Sequence, residues 1–378
     1  MVVSPELELA QQLIRVQSTP ESRNELQVAE LLADRLEAAG FDTTVHTYGG
    51  HHGNVVARWG SPDVPAVCLS GHLDTVTAVE EDWRYDPYGA EVVGPRLYGR
   101  GAADMKSGVA AIVRAAEMYV ASSPPDGTPI VLVLTAEEEV GSLGAAALVA
   151  EPGSLPESRL LLIAEPTSNQ PVLGHRGAVW LDLVARGRSC HASTPELGDN
   201  AIEKLVDGLR ILLEWCATNH TDHEILGART MNIGRFDGGV LRNIVPDRAI
   251  AQLDFRTPSQ QEQATLLDTL AALLENQVTV EPVLSLPPIY TEPTDPMVRI
   301  FRDVARDHIE LTGGPAVARF FTDASVLTPK LDMVPTLICG PGSPDQAHVV
   351  DEWCDTAEIE TTTAMYLHLL HRLAASST

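Results

Sequence analysis

The chain has 378 residues, 44% of them apolar, with 28 glycines and 26 prolines, a length that favours two domains and a composition ordinary for globular proteins. Its 52 acidic against 26 basic residues give a net charge of −26, which makes nucleic acid and anionic membrane poor partners. No apolar run is long enough to span a bilayer and Met1-Val2-Val3-Ser4-Pro5 carries no basic leader, so the expected location is the cytoplasm.

The five cysteines (Cys68, Cys190, Cys216, Cys339, Cys354) are scattered without any CxxC pair. This argues against a thiolate zinc site or a disulfide framework and leaves them as small hydrophobes. Lys106, Lys204 and Lys330 are the only lysines, a bias that a GC-rich genome or a saline habitat would each produce.

In chain order, Ser4-Pro5 reads as an N-cap with proline at N1, opening a helix to about Val16. Glu25 to Ala39 has helical apolar spacing and Gly40 is its stop. Short strands follow near residues 42–48, 54–59 and 66–70, then an alanine-rich helix over 105–120. Residues 129–135 and 159–164 are continuous apolar runs of strand length, the pattern of strands covered on both faces. Strand and helix alternating in this way predict a mainly parallel sheet between helices. From Gly177 the texture changes to half-exposed strands at 177–187, 230–236, 249–256 and 278–283, with helices at 200–216 and 259–275. That order of elements is an α+β, ferredoxin-like module. Helices at 296–311 and 357–374 and a strand at 335–339 resume the first style. The expected architecture is therefore an α/β domain of residues 1–173 and 288–378 with a smaller domain, 174–287, inserted.

Ligands of open α/β sheets gather beyond the carboxyl ends of strands, and the unusual polar groups stand there. His72 and Asp74 lie in Ser70-Gly71-His72-Leu73-Asp74-Thr75-Val76, two residues apart and so on one side of an extended chain. Asp74 would then orient His72 or a water beside it. Glu137-Glu138-Glu139 follow the run ending at Thr135, Glu165 follows the run ending at Ala164, and His348 lies beyond the turn 340–344. Asp104 sits where a glycine-rich loop becomes a helix. Singly, each has a plainer reading: a structural histidine, a solvated turn, a helix N-cap. Together at strand ends, two histidines with three carboxylates suit a pair of zinc-type ions bridged by one carboxylate.

Five segments carry a more specific signal: SGHLDTV, GRGAADMKSG, TAEEEVGS, AEPTS and GPGSPDQAH. In sequence and order they resemble the co-catalytic zinc amidohydrolases that include acetylornithine deacetylase, succinyl-diaminopimelate desuccinylase, aminoacylase and carboxypeptidase G. The likeness runs from about residue 8 to 370. It implies two Zn(2+), or Co(2+) or Mn(2+), per subunit, with His72 and Glu165 on the first ion, Asp104 bridging, and Glu139 and His348 on the second. Glu138 would be the general base and Asp74 the residue steering His72. The family often has a cis peptide after the bridging aspartate, here Asp104–Met105. The inserted domain would be a lid and dimerisation domain. Its His191, in Cys190-His191-Ala192-Ser193, would hold the oxyanion in the site of a neighbouring subunit of a homodimer. Arg176, Gly239, Asn243 and Arg256, with Thr322 and Gly340, match positions that grip the substrate, arginine suiting a carboxylate through its bidentate fork.

The expected reaction is metal-assisted hydrolysis of an amide in a small N-acyl amino acid. Residues 165–172 and 340–348 look closest to acetylornithine deacetylase. Gly174-His175-Arg176-Gly177-Ala178 departs from the Arg-Arg-Gly-Ser pattern of the desuccinylase, because Ala178 offers no hydroxyl; His175 itself reads as surface. Desuccinylase, carboxypeptidase and dipeptidase activities are the alternatives. A binding protein of the same fold would have lost a ligand, the base or His191, and all are present. A phosphate-ester hydrolase would want more histidines and basic grips.

Overall fold

A computed structural model describes residues 3–122, 127–313 and 316–375. The chain divides into two units. The first takes the residues up to Gly174, Tyr290–Ala318 and those from Thr322 onward; the second takes His175–Ile289 and also Arg319–Phe321, a segment that the sequence assigned to the larger domain.

Two helices open the first unit, α1 (Pro5–Ile14) and α2 (Glu25–Ala38), burying Leu9, Leu13, Val28, Leu32 and Leu36. Pro5 takes a position whose N–H would be unsatisfied in any case, although the Ser4 hydroxyl makes no cap bond. Then come β1 (Asp42–Tyr48), β2 (His52–Trp59), β3 (Ala66–His72), β4 (Glu91–Val93), β5 (Arg96–Tyr98), α3 (Lys106–Ser122), β6 (Ile130–Thr135), α4 (Leu143–Ala150), β7 (Ser158–Pro166) and β8 (Val172–His175). The second unit holds β9 (Gly177–Arg186), α5 (Ala201–Thr218), β10 (Asp222–His223), β11 (Gly227–Ala228), β12 (Thr230–Gly238), β13 (Arg248–Thr257), α6 (Gln260–Leu274) and β14 (Thr279–Leu286). The chain ends with β15 (Ile289–Tyr290), α7 (Pro296–Arg306), β16 (Ala316–Ala318), α8 (Ala324–Lys330), β17 (Thr336–Gly340), β18 (Trp353–Asp355) and α9 (Thr356–Ala375).

The central sheet has the order β1-β2-β6-β3-β7-β17-β8-β15, with β16 beside β8. Its middle pairs, β6–β3, β3–β7 and β7–β17, are parallel, while β1–β2, β2–β6 and β17–β8 are antiparallel. Every residue of β3 and β6 is buried, as their continuous apolar sequences predict for strands covered on both faces. His72 is in register with Thr135, and Gly340 with Pro166, so β3, β6, β7 and β17 release their carboxyl-end loops on one rim. Two glycines bring that rim together. A Cβ on Gly108 of α3 would stand 2.0 Å from the Ala164 carbonyl oxygen, and one on Gly340 2.1 Å from it. Helix and strand thus close on β7 immediately before Glu165.

In the second unit the order is β12-β13-β9-β14, all neighbours antiparallel. One face carries α5 and α6 over a core that includes Leu181, Leu205, Leu253, Phe255 and Leu270. Asn200 caps α5 by accepting from the Ile202 and Glu203 amides, and Ser259 caps α6 by accepting from that of Glu262.

Some local expectations change. The helix expected over 296–311 ends at Arg306, where the amides of His308 and Ile309 share the Ala305 carbonyl and close the last turn. Helices α4 and α8 gave no sequence signal: α4 is apolar all round, and α8 has seven residues with Pro329 inside. The three-residue strands β4, β5 and β18 are too short for periodicity to reveal.

His175, expected at the surface, is fully buried with Nδ1 2.9 Å from the Arg176 carbonyl. Burial pushes its pKa down to about 4, the Arg176 carbonyl opposes this, and the charge of Arg256 adds to it. The unfolded chain therefore binds a proton in a range where the folded one does not. Stability is fully expressed above about pH 6.5 and is lost as the pH falls toward 4, by about 3 kcal/mol from this group. Denaturant unfolding at pH 7 and pH 4.5 should show that His175→Gln loses less stability across the interval than the wild type; equal losses would refute the assignment.

Candidate metal centre

Asp104 stands between two imidazoles. Its Oδ1 lies 3.0 Å from His72 Nε2 and its Oδ2 3.5 Å from His348 Nε2. On the His72 side Glu165 Oε1 is 3.7 Å from the same Nε2, and on the His348 side Glu139 Oε2 is 2.9 Å from that imidazole. Five residues distant in sequence thus form two groups sharing one carboxylate. Each arrives by a different route: His72 ends β3, Glu165 lies near the end of β7, Glu139 follows β6, and His348 holds a left-handed turn at φ 64° beyond β17. Asp104 precedes α3, and the Asp104–Met105 peptide is cis.

The three glutamates after β6 point to three different places. Glu139 meets His348. Glu138 is buried, and one of its oxygens lies within 4.8 Å of donor atoms of both His72 and Glu165. Its Oε1 has no hydrogen-bond partner among the described residues. Glu137, at φ 53°, turns away, its Oε1 3.7 Å from His52 Nε2. Asp74 contributes more than the sequence suggested. His72 Nδ1 is 3.0 Å from the Asp74 backbone carbonyl and 3.5 Å from the Asp74 carboxylate, which turns Nε2 toward Asp104. The Asp74 carboxylate also accepts from the amides of Glu138 and Glu139, at 3.1 Å each, and so fixes the glutamate turn.

The electrostatics call for cations. Burial pushes Glu138 and Glu165 well above the usual carboxylate range, neighbouring carboxylates push the same way, and His72 opposes. Burial and Asp104 also raise Glu139 against the His348 hydrogen bond. Asp104 goes the other way: burial opposes its charge, but the His72 hydrogen bond and both imidazoles bring it below its ordinary value. Burial disfavours charge on His72, yet its bonds to Asp104 and Asp74 raise it, and the Glu139 bond raises His348. Were all four carboxylates ionised, negative charge would remain even with both imidazoles protonated, so burial favours either protonation of the carboxyl groups or matching cations. The donor set fits divalent ions of zinc type: nitrogen and carboxylate ligands at bond lengths of about 2.0–2.1 Å stand roughly 3.3 Å apart, close to the separations given above. Two overlapping groups, His72/Glu138/Glu165 and His72/Asp104/Glu139, each bring one ligand atom per residue within 4.8 Å.

The other sequence-predicted residues fall elsewhere. Thr322 is buried and its Oγ1 accepts from the Ala324 amide, while Gly340 pairs through its amide and carbonyl with Thr167. His191, Asn243 and Gly239 share the loops of the second unit. His191 bridges Ile244, the Ala192 amide donates to the Asn243 carbonyl, and Gly239 sits at φ 72° against Pro246. His191 is exposed, and its Nδ1 accepts from the Ser193 amide at 3.1 Å, which leaves the proton on Nε2. Arg256 lies opposite Ala178 on β9 and pairs with Asp254, and the Arg176 guanidinium donates to the Ala228 carbonyl.

The family model described as peptidase family M20/M25/M40 matches residues 68–372. The chain belongs to that family. It is a metal-dependent hydrolase of amide bonds. A "Probable succinyl-diaminopimelate desuccinylase" of Staphylococcus aureus (strain Mu50) is 28% identical, covering 95% of this chain and 97% of that protein. A "Succinyl-diaminopimelate desuccinylase" of Marinobacter nauticus is 29% identical over 99% of this chain and all of its own length. Both carry the name that the sequence reading held as an alternative to acetylornithine deacetylase. Among solved structures, an M20 family metallo-carboxypeptidase from Sulfolobus solfataricus superposes with a TM-score of 0.81 at 18% identity, covering 97% of this chain and 98% of that one. A tripeptidase from Staphylococcus aureus gives 0.79 at 21%, with 98% of each chain covered. The likeness of fold to these M20 structures thus covers 97–98% of the chain. No helix among the described residues is long and apolar enough to cross a membrane.

Proposed function

We propose that this M20 hydrolase is a di-zinc amidohydrolase that releases a free amino acid from a small N-acyl amino acid. The observation that carries the reading is the Asp104 carboxylate, turned with one oxygen to each imidazole. His72, Glu165 and Asp104 Oδ1 would hold one ion, and His348, Glu139 and Asp104 Oδ2 the other. When bound, two such ions polarise a carbonyl and make a water acidic enough to attack it. Glu138, left over from the ligand set and carrying an unpartnered oxygen, would accept the proton of the attacking water and return it to the departing amine. A carboxylate whose pKa burial holds high is suited to both transfers. Asp74 would hold base and ligand in step through their adjacent amides.

His191 would supply the oxyanion donor, its Nε2–H, to the site of a second copy of the chain. Arg176 and Arg256 would receive substrate carboxylate. They occur in a chain with twice as many acidic as basic residues, and Arg319 adds a further positive charge beside Arg176. This clustering, with the names of the relatives, favours an N-succinyl substrate over an N-acetyl one; peptide cleavage is the second reading, favoured by the tripeptidase and the metallo-carboxypeptidase among the solved neighbours.

Glu138→Ala should retain two zinc ions per chain by metal analysis while turnover falls at least about 10²–10⁴-fold; metal lost together with activity would show the base and ligand roles to be misassigned. The substrate panel for this test is N-succinyl-diaminopimelate, N-acetyl-ornithine and dipeptides, with the succinyl compound expected to have the highest kcat/KM. A higher value for N-acetyl-ornithine or a dipeptide would overturn the substrate preference and leave the chemistry standing. Mixing Glu138→Ala and His191→Ala chains should restore turnover that neither has alone, because one site of the mixed dimer regains both residues. No restoration would exclude supply from a second copy.

A further inference from the structure

We infer that Glu352, which touches neither substrate nor ion in the reading above, is the positioning residue that sets the Asp104 loop ready for the ion shared with His348. Its side chain is fully buried, and both oxygens are taken by that loop. Oε1 accepts from the amides of Ala103 at 2.8 Å and Asp104 at 3.0 Å; Oε2 accepts from the Gly101 amide at 3.1 Å and from Arg100 Nη1 at 2.7 Å. Its backbone carbonyl accepts from the Gly99 amide at 3.0 Å. From Gly99 to Asp104, the loop therefore closes around one residue. The guanidinium of Arg100, buried and 5.1 Å from the Trp83 ring centroid, supplies the compensating charge.

Glu352 stands four residues after His348, and the next residues form β18, paired with β5 just ahead of the same loop. One carboxylate thus locks the segment presenting His348 to the loop presenting Asp104. The two sides of the centre differ in this respect. His72 and Glu165 lie within strands of the central sheet, His72 in register with Thr135 and Glu165 directly before Pro166, which is in register with Gly340. Asp104 and His348 lie on loops, and Glu352 joins them. An amide hydrogen bond at the bridging residue fixes its backbone and leaves the carboxylate free for ions, the arrangement by which outer partners tune a site. Loss of Glu352 should therefore fall hardest on the ion whose ligands include both loop residues, Asp104 and His348, and less on the one that shares only Asp104 with the strand residues His72 and Glu165.

The inference rests on the two-ion reading, and zinc binding tests the two separately. Zinc is stripped from the full-length enzyme by chelation and titrated back by calorimetry, with metal content measured after desalting. The wild type should take two ions per chain; if it does not, the two-ion reading fails and this inference with it. Glu352→Gln keeps the size but turns an NH₂ group toward N–H donors. It should bind the second ion about 10–100-fold more weakly and the first, which shares only Asp104 with the loops, with a clearly smaller loss. Two wild-type affinities in this variant, equal weakening of both, or a lower melting temperature with unaltered zinc binding would each overturn the inference. Should Glu352→Gln fail to fold, hydrogen exchange on the wild type decides. Ala103 and Asp104 amides protected alike with and without zinc support a preformed loop; amides that become protected only when zinc is added refute it.

Discussion

Four carboxylates and two imidazoles gathered where three of the carboxylates are pushed above their ordinary range form the constraint on which the site depends. Burial makes every like-charge contact costlier than in water, and an anion unpaired there is either protonated or matched by a cation. Asp104 alone stays below its ordinary value, because it has an imidazole on either side. Its place at the centre makes one carboxylate common to two groups of donors, with His72 and Glu165 on one side and Glu139 and His348 on the other.

The fold's contribution is to bring five loops to one rim. Parallel pairing of β6, β3, β7 and β17 puts their carboxyl ends side by side, and glycines at 108 and 340 permit the approach around β7. Residues that bind nothing then set the angles. Asp74 holds Glu138 and Glu139 by their amides, its own carbonyl orients His72, and Glu352 gathers the amides before Asp104. Such backbone bonds keep the chemically active oxygens free.

Much of this was legible in the sequence because the signals are local. Continuous apolar runs at 129–135 and 159–164 mark two central strands, and polar residues just after them are the candidate ligands. Three like residues at 137–139 carry no internal mark of their separate positions, and only the resemblance to the zinc amidohydrolases assigns Glu138 and Glu139 their roles in the sequence. In three dimensions the three separate, to His52, to the neighbourhood of His72 and Glu165, and to His348. Glu352 is illegible in the sequence for a different reason. A lone glutamate on a tryptophan's N-terminal side has no periodic or motif signature, and its four donors come from a loop about 250 residues earlier. His175, between a glycine and an arginine, carries no local mark of the burial that the structure shows. Helix α4, apolar on every side, has no amphipathic period to detect.

The central claim is that residues scattered from 72 to 348 converge on two neighbouring divalent ions sharing Asp104. Anomalous diffraction at the zinc edge from crystals of the zinc-loaded enzyme tests it most directly. The account predicts two peaks per chain about 3.5–4 Å apart, one beside His72 and Glu165, the other beside Glu139 and His348, with Asp104 between them. A single peak, or two peaks that do not share Asp104, would contradict it.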